Sequence, residues 1–399
     1  MVKPTRLNLR TGTKFLRGGH PWVFRDADVR GLGPQKSGTV IDVFDATDKQ
    51  FVGRGLYDAE SDIAVRLFTW DEREYVDFDL VTTRLRRAAA WRTRVIDASA
   101  TTAIRLVNGE GDELPGLVVD VYAGFGIVQA YTTAWLPWIQ QIVRFLVDEL
   151  GLRGALVTNR IRNVRGEVVR QGADAVRAGE PLPSRIIALE HGLRFEVRPE
   201  SGQKGGLFLD QRENRRAVAS WCADRRVLNL FAYTGGFSIH ALAAGAAHVT
   251  SLDIAPGLAH SVNENLTLNA LPAERHEFVA ADAFTWLERP QRPRFDVVVV
   301  DPPSLATSKK QVPQAEQAYV RTFAAAARAV VDDGLLAACS CTAQVGEETF
   351  LELVARAMDA AGRAFRIVEV RGLPPDHPTL AALPESRYLK CAIVRVDPR

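Results

Sequence analysis

Two of the chain's four cysteines sit within AACSCT (337–342), and two prolines follow an acid in DPPS (301–304), directly after the apolar run FDVVVV. A thiol and a carboxylate so placed could do nucleophilic chemistry on a flat ring. The C5 carbon of a pyrimidine is too poor a nucleophile to take a methyl group unaided. A thiolate adding to C6 turns the ring into an enamine that attacks a sulfonium methyl, an acid near N3 assists, and a base then strips the C5 proton so that the thiol leaves. Asp301 and Cys341 stand where the acid and thiol roles are needed. If 335–341 is extended, Cys339 and Cys341 share a face, but only Cys341 reaches the strand's carboxyl end. Cys339, Cys222 and Cys391 read as small buried apolar residues. Transfer to an exocyclic amine would use the Asp-Pro-Pro turn to orient the amine and would need no cysteine.

A methyl donor would lie at the carboxyl ends of the strands, where open α/β sheets bind ligands. Those ends are acidic: one strand runs into FAYTGGF (231–237), and the next three end at Asp253, Asp282 and Asp301. Gly235 and Gly236 let backbone approach a ligand, with Phe231 and Tyr233 in the same loop. Asp253 could accept from two ribose hydroxyls, and Asp282 from an adenine amine. A P-loop needs G-x-x-x-x-G-K-[ST], which is absent, and a nicotinamide dinucleotide usually shows G-x-G-x-x-G, which YTGGFSIHALAAG lacks. S-adenosylmethionine fits better, having no pyrophosphate to cradle. Each aspartate singly could merely cap a helix or turn; three in step at successive strand ends point to a ligand.

The elements that must position these residues alternate. RVLNLF, HVTSLD, HEFVAAD, FDVVVVD, GLLAACS and FRIVEV are β-rich runs separated by helical segments such as FSIHALAAG and AEQAYVRTFAAAARAV, and YLKCAIVRV adds a final antiparallel strand. That rhythm predicts a mostly parallel, doubly covered α/β sheet. Upstream, GTVIDVF, FVGRGLY and IAVRLF read as a small β-module. A helix over about 78–97, strands through 105–131, a helix near 134–150 and strands near 154–159 and 186–197 read as a middle α+β segment.

At 399 residues and 47% apolar content, the chain can fill two or three cores. No run approaches the roughly 20 apolar residues of a membrane span, and the opening has no signal-peptide core, so the expected address is the cytoplasm. The cysteines lack metal-site spacing and read as reduced thiols. Net charge is only +2, but Arg6, Arg10, Arg17, Arg25 and Arg30 crowd the first thirty residues, and Arg84 and Arg87 open RLRRAAAWRTR. Arginine forks suit phosphates, and Trp22 and Phe24 could stack on bases, though solvated faces and core packing explain such residues equally well. These patches are the candidate RNA contacts.

Taken together, GGHPWVF (18–24), GRGLYDAESDIAVR (53–66), RLVNGEGDELPGLVVD (105–120), GQKGGLFLDQRENRR (202–216), NLFAYTGGFSIHAL (229–242), DPPS, SCT (340–342), PDHP (375–378) and PESRYLK (384–390) resemble, nearly end to end, the PUA-domain S-adenosylmethionine-dependent methyltransferases that make 5-methylcytosine in 23S rRNA. The resemblance implies a PUA domain over 1–75, a middle α+β domain over 76–192 and a Rossmann-like methyltransferase domain over 193–399. It implies that Phe208, Gln211 and Arg212 lie near the cofactor and that Cys341, aligned with the cysteine of a Ser-Cys-Ser segment, is the nucleophile. Gly205 stands where relatives usually have Thr, Thr342 replaces the last Ser, and Ser304 sits where Lys or Ala is frequent. Relatives are often dimers, although no motif marks an interface. Related enzymes methylate guanine in the same rRNA, so N-methylation, or a non-catalytic rRNA-binding assembly factor, stays open beside cytosine C5.

Overall fold

Runs such as FDVVVV lack the polar alternation of a strand with one wet face, and Val297–Val300 are all buried, as strands covered on both sides require. The computed structural model describes residues 4–159, 176–199, 206–289 and 294–397. Gly205 and the 202–205 stretch of its motif lie outside the described residues.

The chain packs as two units, Met1–Ser184 with Pro375–Leu383, and Arg185–Pro374 with Pro384–Arg399. In the first, strands β1 (Thr5–Leu9), β2 (Trp22–Phe24), β3 (Val40–Asp45), β4 (Phe51–Tyr57) and β5 (Ile63–Thr69) form a sheet in the order β1-β3-β4-β5-β2. Helix α1 (Thr13–Arg17) and helix α2 (Ala27–Arg30) flank β2 in sequence. Next comes α3 (Phe78–Val95), started by Asp77, whose side chain accepts from Leu80 N. It packs Val81, Leu85 and Ala88 into a core shared with β6 (Ala103–Asn108), β7 (Leu117–Tyr122), β8 (Phe125–Ala130), α4 (Ile139–Asp148) and β9 (Gly154–Asn159). With β10 (Arg177–Gly179) these strands make a second five-stranded sheet, β10-β9-β8-β7-β6. Leu56 and Phe68 from the first sheet join that core, so the two sheets stabilise each other.

Segment Pro375–Leu383 is laced into this unit by charge. Arg92 Nη2 donates to Asp376 O (2.7 Å), Arg105 N donates to Asp376 Oδ2 (2.9 Å), and Asn108 Nδ2 donates to Pro378 O (2.9 Å). A Cβ on Gly111 would lie 1.8 Å from Pro378 O, so only glycine allows this approach. The PDHP and GEGDELPG motifs therefore have a packing role. His377 Nδ1 bonds Asp376 Oδ1 (3.0 Å), and His20 Nδ1 accepts from Trp22 N (3.3 Å).

The second unit opens with the hairpin β11 (Ile186–Glu190) and β12 (Leu193–Val197). The sequence reading grouped these residues with the middle segment; they pack instead in this unit. Buried Glu190 takes paired bonds from Arg215 (2.7 and 2.6 Å), and Glu196 N and Arg194 N donate to Asn265 and Asn269. Strands β13 (Arg226–Leu230), β14 (His248–Asp253), β15 (His276–Ala280), β16 (Phe295–Val300), β17 (Val330–Ser340), β18 (Phe365–Arg371) and β19 (Lys390–Val396) then form a sheet ordered β15-β14-β13-β16-β17-β19-β18. The first five are parallel, and β19, the final antiparallel strand that the sequence predicts, enters between β17 and β18. Helices α5 (Arg212–Ala219), α6 (Gly236–Ala243), α7 (Leu258–Leu268), α8 (Ala283–Leu287), α9 (Val312–Ala329) and α10 (Glu347–Ala360) connect the strands. The main core joins β13, β16, β17 and β19 to α9 and α10.

Candidate active site

Strand order places the carboxyl ends of β14, β13, β16 and β17 side by side. After β13 the chain turns sharply. Phe231 (φ 58°) and Tyr233 (φ 50°) adopt the left-handed region that side chains disfavour, and Gly235 (φ 83°) completes the turn before α6. Asp253 holds that strain: its Oδ2 accepts from Tyr233 N (3.0 Å), and its Oδ1 accepts from Ala255 N (3.1 Å). Each carboxylate oxygen keeps a second acceptor site for a ligand hydroxyl. Phe208 meets Tyr233 edge to face at 5.2 Å. Behind it, Arg215 donates to Phe208 O (2.8 Å) while paired with Glu190. Burial would push the Glu190 carboxyl up, but the Arg215 charge and the His240 and Arg215 hydrogen bonds overcome it and hold it at about 2.

Asp282 does what a lone strand-end acid is expected to do. Its Oδ1 caps α8, accepting from Thr285 N and Thr285 Oγ1 (both 2.9 Å), and it is exposed beyond β15. Arg212 is fully buried with Nε on Glu213 (3.2 Å), so its guanidinium sits in protein interior. Gln211 is buried too, and its Nε2 donates to Asp301 Oδ1 (2.9 Å). Gly236 lies against Arg215, where a Cβ would come within 3.0 Å.

The Asp-Pro-Pro turn carries Asp301 to within reach of the end of β17. Cys341 is half-buried with Sγ 3.9 Å from Pro302 O, whereas Cys222, Cys339 and Cys391 are buried. Burial pushes the Cys222 thiol up to about 12, and hydrogen bonding with Cys391 together with burial raises Cys339. Hydroxyls fix the residues on both sides of Cys341. Ser340 Oγ donates to Tyr319 OH (3.0 Å), and Tyr319 OH bonds Thr342 Oγ1 (2.7 Å), which also accepts from Leu305 N (3.1 Å). Thr342 thus keeps its hydroxyl in use, and Ser304 Oγ lies 3.3 Å from it.

Sequence reading missed Tyr319, Lys390, the Glu190–Arg215–His240 cluster and Ile254. One signal was available: Lys390 is a lone charge inside the apolar run YLKCAIV. Ile254, directly after Asp253, stays 71% exposed, an apolar side chain left at the rim of the strand ends.

The candidate RNA contacts divide. Arg17 is exposed and pairs with Asp48 (2.8 Å), Arg87 is exposed beside Glu113, and Trp22 is half-buried with Nε1 on Glu110 (2.8 Å). Arg84 corrects the reading: it is buried, its fork spent on Glu113 O (2.7 Å) and Phe68 O (2.9 Å). Arg25 likewise turns inward to Ser61 O (3.0 Å), Tyr57 OH (2.9 Å) and Asp58 O.

Residues 106–390 match a family of S-adenosylmethionine-dependent methyltransferases, and residues 9–70 match a PUA-like domain. A ribosomal RNA large subunit methyltransferase of Deinococcus radiodurans is 34% identical over 98% of both chains. The chain belongs to the ribosomal RNA large-subunit methyltransferase family. Ribosomal RNA large subunit methyltransferase I of Escherichia coli is 33% identical over 98% of this chain and 99% of its own. A solved Streptococcus mutans chain, assigned as an S-adenosylmethionine-dependent methyltransferase, shares the fold with a TM-score of 0.81 at 21% identity, covering 98% of this chain and all of that one.

The cofactor of this methyltransferase is S-adenosylmethionine, and the residues present fit it. A strained turn, a carboxylate with acceptor sites to spare and an exposed isoleucine meet at adjacent strand ends. No described helix of the methyltransferase is long and apolar enough to cross a membrane.

Proposed function

We propose that the chain transfers a methyl group to C5 of a cytosine in 23S rRNA of the large ribosomal subunit, through a covalent bond between Cys341 and C6. The carrying observation is the position of Cys341. It is the cysteine whose side chain is half-buried rather than enclosed, and it lies over the Asp-Pro-Pro turn. Methylation of an exocyclic amine needs no thiol there.

In this reading Asp253 binds the ribose hydroxyls, Ile254 covers one face of the adenine, and Asp282 accepts from its amine with the oxygen its cap leaves over. Phe208, Phe231, Tyr233, Gly235 and Gly236 shape the same pocket, with Gln211 and Arg212 holding it from behind. Bound S-adenosylmethionine supplies an electrophilic methyl group. Cys341 attacks C6, and Asp301, steadied by Gln211, assists at N3 and orients the ring. Once C5 is methylated, loss of its proton expels the thiolate and restores aromaticity. An N-terminal PUA module, a middle module and a methyltransferase module that takes in the β11–β12 hairpin divide the labour. The first two grip rRNA through Arg17, Arg87, Trp22 and exposed Phe24; Arg25 and Arg84 shape that surface without touching phosphate. A homodimer acting in the cytoplasm completes the reading.

Single-turnover methylation of 23S rRNA by wild type and Cys341→Ala, with digestion to nucleosides, tests it. The expected result is 5-methylcytosine from wild type and none from the variant. Methylguanine from both proteins would favour amine transfer, and no product from either would favour a binding factor.

A further inference from the structure

Lys390 is a buried charged side chain in the second unit that the reaction above leaves without a task. It opens β19, is only 2% exposed, and pairs in register with Ser340, the residue before Cys341. Its ammonium carries three donors. Two are used, on Thr342 O (2.7 Å) and Tyr388 O (2.8 Å), so it bonds the carbonyl of the residue directly after Cys341. A buried ammonium bonded to neutral carbonyls is costly, and such groups gain most from an anion beside them.

Resting on the cytosine reading, we infer that Lys390 is the positioning residue that keeps Cys341 in its thiolate form. The S–H bond breaks with its electron pair left on Sγ and its proton lost to solvent, and the Lys390 ammonium balances the new charge until Sγ adds to C6. Burial pushes Lys390 down to about 8, against the raising effect of negative charge on Cys341 and on Glu347 at the start of α10. That keeps it charged near neutral pH, while a fully exposed lysine would be more strongly hydrated and less effective as a partner.

The other groups that bear on the pair are Asp301 after β16, Tyr319 from α9, Glu347, and the Cys339–Cys391 pair. Asp301 is acidic and opposes a thiolate. Tyr319 is raised by burial and stays neutral, with its hydroxyl engaged by Ser340 and Thr342. Cys339 and Cys391 are buried thiols. Lys390 is thus the one cation in the set.

The test is the pH profile of Cys341 alkylation by iodoacetamide in the full chain, read by peptide mass spectrometry, for wild type, Lys390→Met and Lys390→Arg. A free thiol reaches half its maximal rate at about pH 8.5. Wild type should reach it at least one pH unit lower; Lys390→Met should shift it to or above the free-thiol value and react about tenfold more slowly at pH 7. Lys390→Arg, which keeps the charge, should restore most of the shift. A wild-type midpoint at or above 8.5 overturns the assignment even if the methionine variant fails to fold, and so does an unchanged profile in a folded Lys390→Met protein. The profile needs no RNA, so it stands apart from the cytosine reading, which fails separately if wild type makes no 5-methylcytosine.

Discussion

Asp253 fixes the backbone at Tyr233 and Ala255, and in the proposed reading it also offers acceptor sites to the cofactor. Asp253→Ala should therefore weaken S-adenosylmethionine binding by about 3–5 kcal/mol, several hundred-fold or more, since two charge-assisted bonds to the ribose are lost. Isothermal calorimetry reads this directly, and an unchanged affinity would remove the β14 end from the site. Glu190 acts one layer deeper. Its folded-state carboxyl, held at about 2, lies below the ordinary value of 4.5, so the stability it contributes is complete above about pH 4.5 and is lost as pH falls toward 2. The size is on the order of 3 kcal/mol. Glu190→Gln should lose about 3–5 kcal/mol at pH 7, because Arg215 is left buried without its partner. Urea unfolding should also show a smaller fall in stability between pH 7 and pH 3 for the variant than for wild type; equal falls would contradict the pairing.

At the level of elements, short β-rich runs spaced by helical segments were enough to find every strand of the large sheet and the antiparallel β19, most plainly in β13, β16 and β17, whose apolar runs are buried, and less so in the more exposed β15 and β18. Hairpin β11–β12 was attached to the wrong neighbours. Its own pattern is that of any half-buried hairpin, and what ties it to its partner are distant polar contacts, the buried Glu190 with Arg215 25 residues on, and Arg194 and Glu196 with Asn269 and Asn265. The site shows the same limit. Cys341, Asp301 and Asp253 could be read from strand ends, whereas Arg84 and Arg25 looked basic and available but fold inward onto carbonyl oxygens that no local spacing reveals. Segment Pro375–Leu383 depends on a glycine in the same way. Gly111→Ala should force it away from β6 and the turn that follows, costing about 1–3 kcal/mol by overpacking. Hydrogen exchange should then quicken at the amides of residues 376–383, and protection equal to wild type would show that the contact at Pro378 O can yield at no cost.

For the whole molecule, substrate capture and chemistry make different electrostatic demands. The strand ends proposed to hold the cofactor are acidic, while a large RNA is held mainly through its phosphates. The exposed surface of the first unit supplies cations and rings: Lys14 and Arg17 beside Phe15, which is 61% exposed and packs tilted against His20 at 4.2 Å, and Phe24, 55% exposed. Deleting residues 1–75 would also remove Leu56 and Phe68 from the core around α3, so surface substitutions test the role more cleanly. A Lys14→Glu, Arg17→Glu, Phe24→Ala variant should keep its S-adenosylmethionine affinity, bind rRNA at least tenfold more weakly and show a flatter dependence on salt, because fewer phosphates are neutralised. Filter binding across a salt series reads both effects, and an unchanged slope would assign this surface to something other than RNA. The central claim is the covalent bond from Cys341 to C6, and RNA carrying 5-fluorocytosine at the target position tests it most directly. After methyl transfer the fluorine cannot leave as a proton does, so wild type should form an adduct that survives denaturing electrophoresis, requires S-adenosylmethionine and is absent in Cys341→Ala. An adduct that persists in Cys341→Ala, or wild type that methylates cytosine yet is never trapped, would contradict it.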